Sequence, residues 1–248
     1  MVDGRIPTRV AIVTGGSGGI GRAVVRQLAA DGLKVVIAYA GNQAVAEATA
    51  KEIAATGGES IAVRADVADE TSVAALFDRA EASFGGVDVL IHAAGRMMLQ
   101  PIVDLDLDSL DALHRTNIRG TFVVGQQAAR RLRPGGAIVT FSTSVVDLQF
   151  PTYGAYAASK GAVEALTLIL ARELRGRDVT VNSVAPGPTA TALFLDGKDE
   201  ATIERLAKQP PLERLGRPED IAGVVAFLAS AAGHWVNGQN IRVNGGIV

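Results

Sequence analysis

The sequence predicts an α/β fold, a single doubly wound domain whose parallel seven-stranded sheet carries helices on both faces. Three observations predict it. Short β-branched runs alternate with longer segments of helical periodicity along all 248 residues. Hydrophobic residues make up 48% of the chain and aromatics only 4%, so Ala, Val, Gly and Leu must build the core. That suits short buried strands under close-packed helices. No Pro/Ser-rich linker, composition break or short-period repeat divides the chain, and its length fits one domain over 1–248.

The first strand is expected at Val10–Thr14. It runs into Thr14-Gly15-Gly16-Ser17-Gly18-Gly19-Ile20-Gly21, which opens a helix expected at Ile20–Ala30. Glycines allow a tight turn and let backbone N–H groups approach a pyrophosphate, and a helix N-terminus adds unsatisfied donors and a favourable dipole. Gly15, Ser17, Gly19, Ile20 and Gly21 are therefore candidate phosphate-binding positions, in the strand–loop–helix context that such a loop requires. No Gly-Lys-Ser/Thr ends the loop, which argues against a kinase or ATPase. The second strand, Lys34–Tyr39, ends at Ala40-Gly41-Asn42, before a helix over Gln43–Thr56. A dinucleotide site that prefers NAD places an acid here for the ribose 2′-OH, and an acid would repel a 2′-phosphate. Tyr39 is neutral and the next acid is Glu47. NADP(H) is favoured and NAD(H) stays open, with Tyr39, Ala40, Gly41 and Asn42 facing the ribose.

The third strand, Ser60–Arg64, leads to Asp66-Val67. Asp66 would accept a hydrogen bond from an adenine amino group or cap the helix Glu70–Phe84. The fourth, Val87–Ala93, ends in His92-Ala93-Ala94-Gly95, where small Ala93, Ala94 and Gly95 would let the backbone lie against a ribose. A loop, Arg96–Asp104, carries Met97, Met98 and Leu99 ahead of a helix over roughly Ser109–Arg133. The fifth strand, Ala137–Ser142, ends in three successive hydroxyls, Ser142, Thr143 and Ser144. Strand alternation makes Ser142 and Ser144 alike and sets Thr143 apart. The next helix, Tyr153–Arg175, places Tyr156 and Lys160 one turn apart on one face. A neighbouring cation favours phenolate, so the Tyr156 pKa is expected to fall from ~10 and allow proton exchange near neutrality. The sixth strand, Thr180–Ala185, runs into Pro186-Gly187-Pro188. An insertion of about thirty residues follows, too long for an ordinary connection and expected to form a lid over about 188–212. A helix at Pro218–Ser230 and a strand at Gln239–Val243 complete the chain.

Composition excludes several classes. Net charge is −2 with no basic stripe, so nucleic acid is not an expected partner. There are no cysteines, hence no disulfide framework, thiolate chemistry or Cys-built metal site. His92, His114 and His234 are scattered with no carboxylate at ligand spacing, so no metal is expected. Met1–Pro7 lacks an apolar signal core, and no apolar run reaches the ~18 residues of a membrane span. A cytoplasmic protein with no membrane partner is expected.

Together these residues resemble the short-chain dehydrogenase/reductase family. The likeness covers Thr14 to Gly246. Thr14–Gly21 resembles the family's TGxxxGxG, Tyr156–Lys160 its YxxxK, and Pro186-Gly187 its PG element. Val35–Tyr39, Gly216–Ala222 and Trp235–Gln239 are most similar to trihydroxynaphthalene-reductase-like and 3-oxoacyl-reductase-like ketoreductases. His92-Ala93-Ala94-Gly95 stands where the family has Asn-Asn-Ala-Gly, so the side-chain hydrogen bonds of those Asn are expected to be absent. Gly18 stands where such relatives often carry Arg.

The resemblance implies a Rossmann-type domain with a dinucleotide-binding part over about 8–142 and a catalytic and substrate part over about 142–248. It implies an NADP(H)-dependent oxidoreductase that transfers hydride reversibly between nicotinamide and a ketone or secondary alcohol. In it Tyr156 would protonate the carbonyl oxygen. Lys160 would lower the phenol pKa and bind the nicotinamide ribose. Asn117 would hold a water in the proton relay, and Thr189 and Thr191 would touch the carboxamide and phosphates. With Pro151 held in register, as in the trihydroxynaphthalene-type enzymes, the hydroxyl that steadies the carbonyl oxygen falls on Ser142; matching Ser-Val-Val instead selects Ser144. An apolar pocket of Met97, Leu99, Phe150, Tyr153, Phe194 and Leu195 would take a moderately hydrophobic ketone. The resemblance also implies a homotetramer. A non-catalytic dinucleotide sensor and a methyltransferase are the competing readings. The intact Asn117, Tyr156 and Lys160 argue against the first, and the Tyr/Lys pair has no task in the second.

Overall fold

The computed structural model describes residues 8–248, so the reading of Met1–Pro7 lies outside the described residues. Among these, seven strands form one sheet: β1 Val10–Thr14, β2 Lys34–Tyr39, β3 Ser60–Arg64, β4 Val87–His92, β5 Leu132–Phe141, β6 Val179–Pro186 and β7 Asn240–Val243. Their order is β3-β2-β1-β4-β5-β6-β7, and every pairing is parallel. The helices are α1 Gly19–Ala30, α2 Gln43–Ala55, α3 Glu70–Phe84, α4 Leu107–His114, α5 Gly120–Arg131, α6 Val145–Leu148, α7 Gly154–Glu173, α8 Ala192–Leu195, α9 Glu200–Ala207 and α10 Pro218–Ala229. This is the doubly wound architecture that the alternating pattern predicts.

Alternation along each strand feeds two cores. Ala11, Val13, Val35, Ile37, Val89 and Ile91 pack with α1 and α10 through Val24, Leu28, Ile221 and Val225. Ile12, Val36, Leu90 and Ile138 face the other way, onto Leu76 and Phe77 of α3, Val124 of α5 and Leu170 of α7. With both faces covered, the strand order reverses between β1 and β4, and ligands bind at the carboxyl ends of such a sheet.

Three departures from the sequence expectation have local causes. The helix expected over Ser109–Arg133 is α4 and α5 joined by a π-turn, Arg115–Arg119, that contains Asn117. It ends at Arg131, because Pro134 disfavours helical geometry in the residue before it, and β5 begins at once at Leu132. The insertion after β6 is not irregular throughout: it folds α8 and α9, and a bridge between Thr189 and Gly216 closes its base. Asp66 is not the cap of α3. Asp69 takes that position and accepts from Ser72 N at 2.7 Å, while Asp66 accepts from Ala68 N and pairs with Arg115 at 2.9 Å.

Candidate active site

A cleft of about 500 Å³ opens along the carboxyl ends of the strands. Its walls include Tyr39 and Asp66 beyond β2 and β3, the loop between β1 and α1 at the centre, and Tyr156, Phe150 and Phe194 at the far side. Of the expected cofactor positions, Gly15, Ser17, Gly19, Ile20, Gly21, Tyr39, Ala40, Gly41, Asp66, Val67, Ala93, Ala94, Gly95, Pro186, Gly187, Thr189 and Thr191 all line it. Asn42 does not; it is the cap of α2 and accepts from Val45 N at 3.4 Å.

The glycine loop is shaped by close backbone approach. Gly15 has φ +67°, and a Cβ on it would lie 2.7 Å from Ala94 N; a Cβ on Gly21 would overlap the Gly15 carbonyl. A Cβ on Gly19 would lie 2.6 Å from Thr191 Cγ2, because the start of the insertion packs against the first turn of α1. Gly18 caps α1 without a side chain, so the first-turn N–H groups face the cleft with no side-chain acceptor. Such a cradle, with a dipole end and no side chain in the way, fits a pyrophosphate. No carboxylate lines the stretch Tyr39–Gly41, so the position past β2 fits a 2′-phosphate as well as a free ribose.

His92 is hydrogen-bonded at the end of β4. Its Nδ1 shares a 2.8 Å hydrogen bond with Thr14 Oγ1, which also accepts from Ala94 N at 3.4 Å. The end of β4 is thus tied to the end of β1 by a side-chain hydrogen bond, though not by an asparagine. Burial, with the Lys160 charge adding to it, pushes the imidazole down to about 3, so His92 is neutral.

α7 presents Tyr156, Lys160 and Glu164 at successive turns over the end of β5. Tyr156 and Lys160 are both buried, with Lys160 Nζ 6.0 Å from the Tyr156 ring centre. The ammonium donates to Phe141 O at 2.7 Å. The expected lowering of the phenol does not hold in this arrangement. Burial pushes Tyr156 up to about 12, opposed by hydrogen bonding from Thr143, and pushes Lys160 down to about 8. Desolvation dominates the phenol, while Nζ is engaged with a backbone carbonyl.

Ser142, Thr143 and Ser144 all line the cleft with Tyr156, and Thr143 is the one whose hydroxyl pulls against the rise of the phenol. Ser142 Oγ donates to Glu164 Oε1, and Ser144 Oγ accepts from Asn244 Nδ2 at 3.0 Å. β5 ends at Phe141 and the chain is already turning into α6, so the three hydroxyls lie past the strand whose alternation would sort them. Both serines still lie at the rim of the cleft. Asn117 is buried behind the wall, and its amide bonds to the backbone of Arg96 and to Ser159. Of the expected substrate residues, Met97, Phe150, Tyr153 and Phe194 line the cleft. Leu99 and Leu195 do not, and Leu148, Leu193 and Leu206 take their places. Nothing in the sequence marked Leu206, which reaches the cleft only because α9 folds back.

Known proteins share both the sequence and the shape. A family model described as Enoyl-(Acyl carrier protein) reductase matches residues 15–248. The chain is 46% identical to a short-chain type dehydrogenase/reductase of Picea abies, over 97% of this chain and 92% of that protein. It is 42% identical to an NADPH-dependent aldehyde reductase-like protein, chloroplastic, of Arabidopsis thaliana, over 97% of this chain and 94% of the other. Its fold matches a crystal structure of a short chain dehydrogenase from Burkholderia cenocepacia J2315 in complex with NADP. That match has a TM-score of 0.91, 38% identity, and coverage of 97% of this chain and 98% of that one.

Proposed function

Because the chain belongs to the short-chain dehydrogenase/reductase family, we propose that it is an NADP(H)-dependent ketoreductase that interconverts a ketone or aldehyde with its alcohol. The observation that carries this reading is the buried Tyr156–Lys160 pair in the same cleft as the glycine cradle. The backbone of Gly15–Gly21 would hold the pyrophosphate. Tyr39, Ala40 and Gly41 would face the adenosine ribose, and Pro186, Gly187, Thr189 and Thr191 the nicotinamide half. When bound, the nicotinamide supplies hydride to the carbonyl carbon.

The chain's own groups do the rest. Tyr156 gives its phenolic proton to the substrate oxygen; at about 12, the phenol is protonated whenever it is needed. Thr143 donates to the same oxygen and steadies the negative charge that grows there. Lys160 holds a positive charge beside the pair and favours the phenolate left after transfer. Ser142 supports the site through Glu164. Asn117 holds the wall through Arg96 with its side chain, and the water-holding role in the proton relay stays our proposal for the same residue.

The substrate end is apolar, through Met97, Leu148, Phe150, Phe194 and Leu206, with Tyr153 as the one phenol, which favours a moderately hydrophobic carbonyl compound. We also propose a homotetramer. Phe122 on α5, Leu168 and Ile169 on α7, Phe227 on α10 and the fully exposed Trp235 are apolar side chains that such an assembly would cover. Among the described residues no helix is long and apolar enough to cross a membrane. The absence of cysteines fits our proposed cytoplasmic location, against which the chloroplastic Arabidopsis relative is the alternative for a tagged copy to test.

Mixing the protein with NADPH or NADH and a panel of ketones and aldehydes, while following cofactor absorbance, tests the reading. Oxidation of NADPH faster than NADH, dependent on a carbonyl, is expected. Tight NADPH binding with no carbonyl-dependent oxidation would point to a sensor instead.

A further inference from the structure

Behind the cleft runs a chain of hydrogen bonds that touches no reacting atom. Asn117, in the π-turn, is 1% exposed, and its amide is fully committed. Oδ1 accepts from Arg96 N at 2.8 Å, and Nδ2 donates to Arg96 O at 2.9 Å and to Ser159 Oγ at 3.0 Å. Ser159 is 0% exposed and donates its single proton to Tyr156 O at 2.7 Å. With that proton given away, Ser159 can only accept from Asn117. This decides which way the amide faces: Nδ2 must point at Ser159, which leaves Oδ1 for the Arg96 N–H.

We propose that Ser159 is a positioning residue: through Asn117 it locks the loop Gly95–Met97, one wall of the cleft, to the helix turn that carries Tyr156. The proposal rests on the ketoreductase reading of the site. The three parts meet closely, since a Cβ on Gly95 would lie 3.4 Å from Lys160 Nζ and 3.5 Å from Asn117 Oδ1. A loop freed from this lock moves the Met97 wall relative to the Tyr156 hydroxyl. It leaves the protonation of Tyr156 and Lys160 as it was, because Ser159 bonds to backbone and amide groups alone.

Ser159→Ala strands one buried Asn117 N–H and releases the amide. The expected result is a fall of about tenfold in kcat/KM, the scale of one misplaced hydrogen bond in positioning. Most of it should appear as a higher KM for the carbonyl compound, with the pH profile unchanged. Thr167→Ala is the control. Thr167 is on the same helix, 2% exposed, and its hydroxyl bonds to Val163 O at 2.9 Å and shares 3.1 Å with Thr140 Oγ1, away from Asn117. It should lower Tm comparably and leave KM alone. Deuterium exchange at the Arg96 amide gives a readout that needs no turnover: it should quicken in Ser159→Ala and not in Thr167→Ala. If the wild type reduces no carbonyl, the ketoreductase reading fails, and the exchange result alone decides the lock. Unchanged Arg96 exchange in Ser159→Ala, or a KM that moves no more than in Thr167→Ala, overturns the proposal.

Discussion

The two ends of the sheet treat buried polar groups in opposite ways. At the amino ends, Asp88 is 7% exposed and fully partnered: it accepts from Val10 N at 2.7 Å and from Arg133 Nε at 2.8 Å, with a second Arg133 bond to the same carboxylate. That pairing holds the Arg133 guanidinium above its ordinary value. Arg9 ties the carbonyls of Ala229 and Gly135 at the same end. At the carboxyl ends, Tyr156, Lys160 and His92 are just as buried, but no carboxylate among the described residues pairs with them. Each is pushed towards its neutral form by desolvation. A charge buried with its partner holds elements together, whereas a titratable group buried without one has its proton affinity displaced. The first kind of site serves stability and the second serves chemistry.

If that contrast is right, substitutions at the two ends must separate activity from stability. Tyr156→Phe should lower kcat/KM by roughly a thousandfold, the loss of a positioned acid, with Tm and NADPH binding near wild type. Steady-state kinetics and cofactor fluorescence check this, and activity within tenfold of wild type would remove Tyr156 as the proton donor. Asp88→Ala should do the reverse. It leaves the buried Val10 N–H and the half-exposed Arg133 guanidinium without their acceptor and should cost about 2 kcal/mol in chemical denaturation, mostly the scale of one stranded buried donor. Turnover per folded molecule should not change. A third pair of variants sharpens the contrast within the catalytic end. Thr143→Val should cost roughly a hundredfold in kcat, as for loss of one donor to the growing oxyanion, while Ser142→Ala leaves turnover near wild type. Equal losses in both would show that the end of β5 rearranges when substrate binds.

Sequence made the fold legible because parallel strands buried on both faces advertise themselves as short apolar runs, and the glycine loop and the Tyr156–Lys160 spacing are local patterns. Even the π-turn leaves no trace in the hydrophobic period, so α4 and α5 read as one helix. What was hidden depends on where side chains turn. The strand ends at Phe141, before Ser142, Thr143 and Ser144, and no alternation rule locates that end to one residue, so alternation alone does not rank the three hydroxyls. The His92 bond to Thr14 joins two strand ends 78 residues apart, a contact that no local pattern announces. The pKa of Tyr156 was expected to fall on proximity alone; direction depends on burial, which cannot be read from spacing.

pH gives the smallest effect and the clearest test of the unpaired end. In the free enzyme Tyr156, at about 12, keeps its proton through the working range, and His92, at about 3, contributes no step near neutrality. Lys160 is the group left to titrate, at about 8 against an ordinary 10.5. kcat/KM reports groups of the free enzyme. Reduction should therefore be level below pH 8 and fall above it, as Lys160 loses the charge that favours the departing phenolic proton. The stability contribution of the same group has the opposite sign. Between about 8 and 10.5 the unfolded chain holds a proton on Lys160 that the folded chain has lost, so this group's contribution to stability rises with pH across that window. Activity and Tm measured together should therefore part company above pH 8, with activity falling while Tm shows no matching drop. A step near 6.5 would assign the titration to a histidine instead, and a parallel loss of Tm would make the fall an unfolding event.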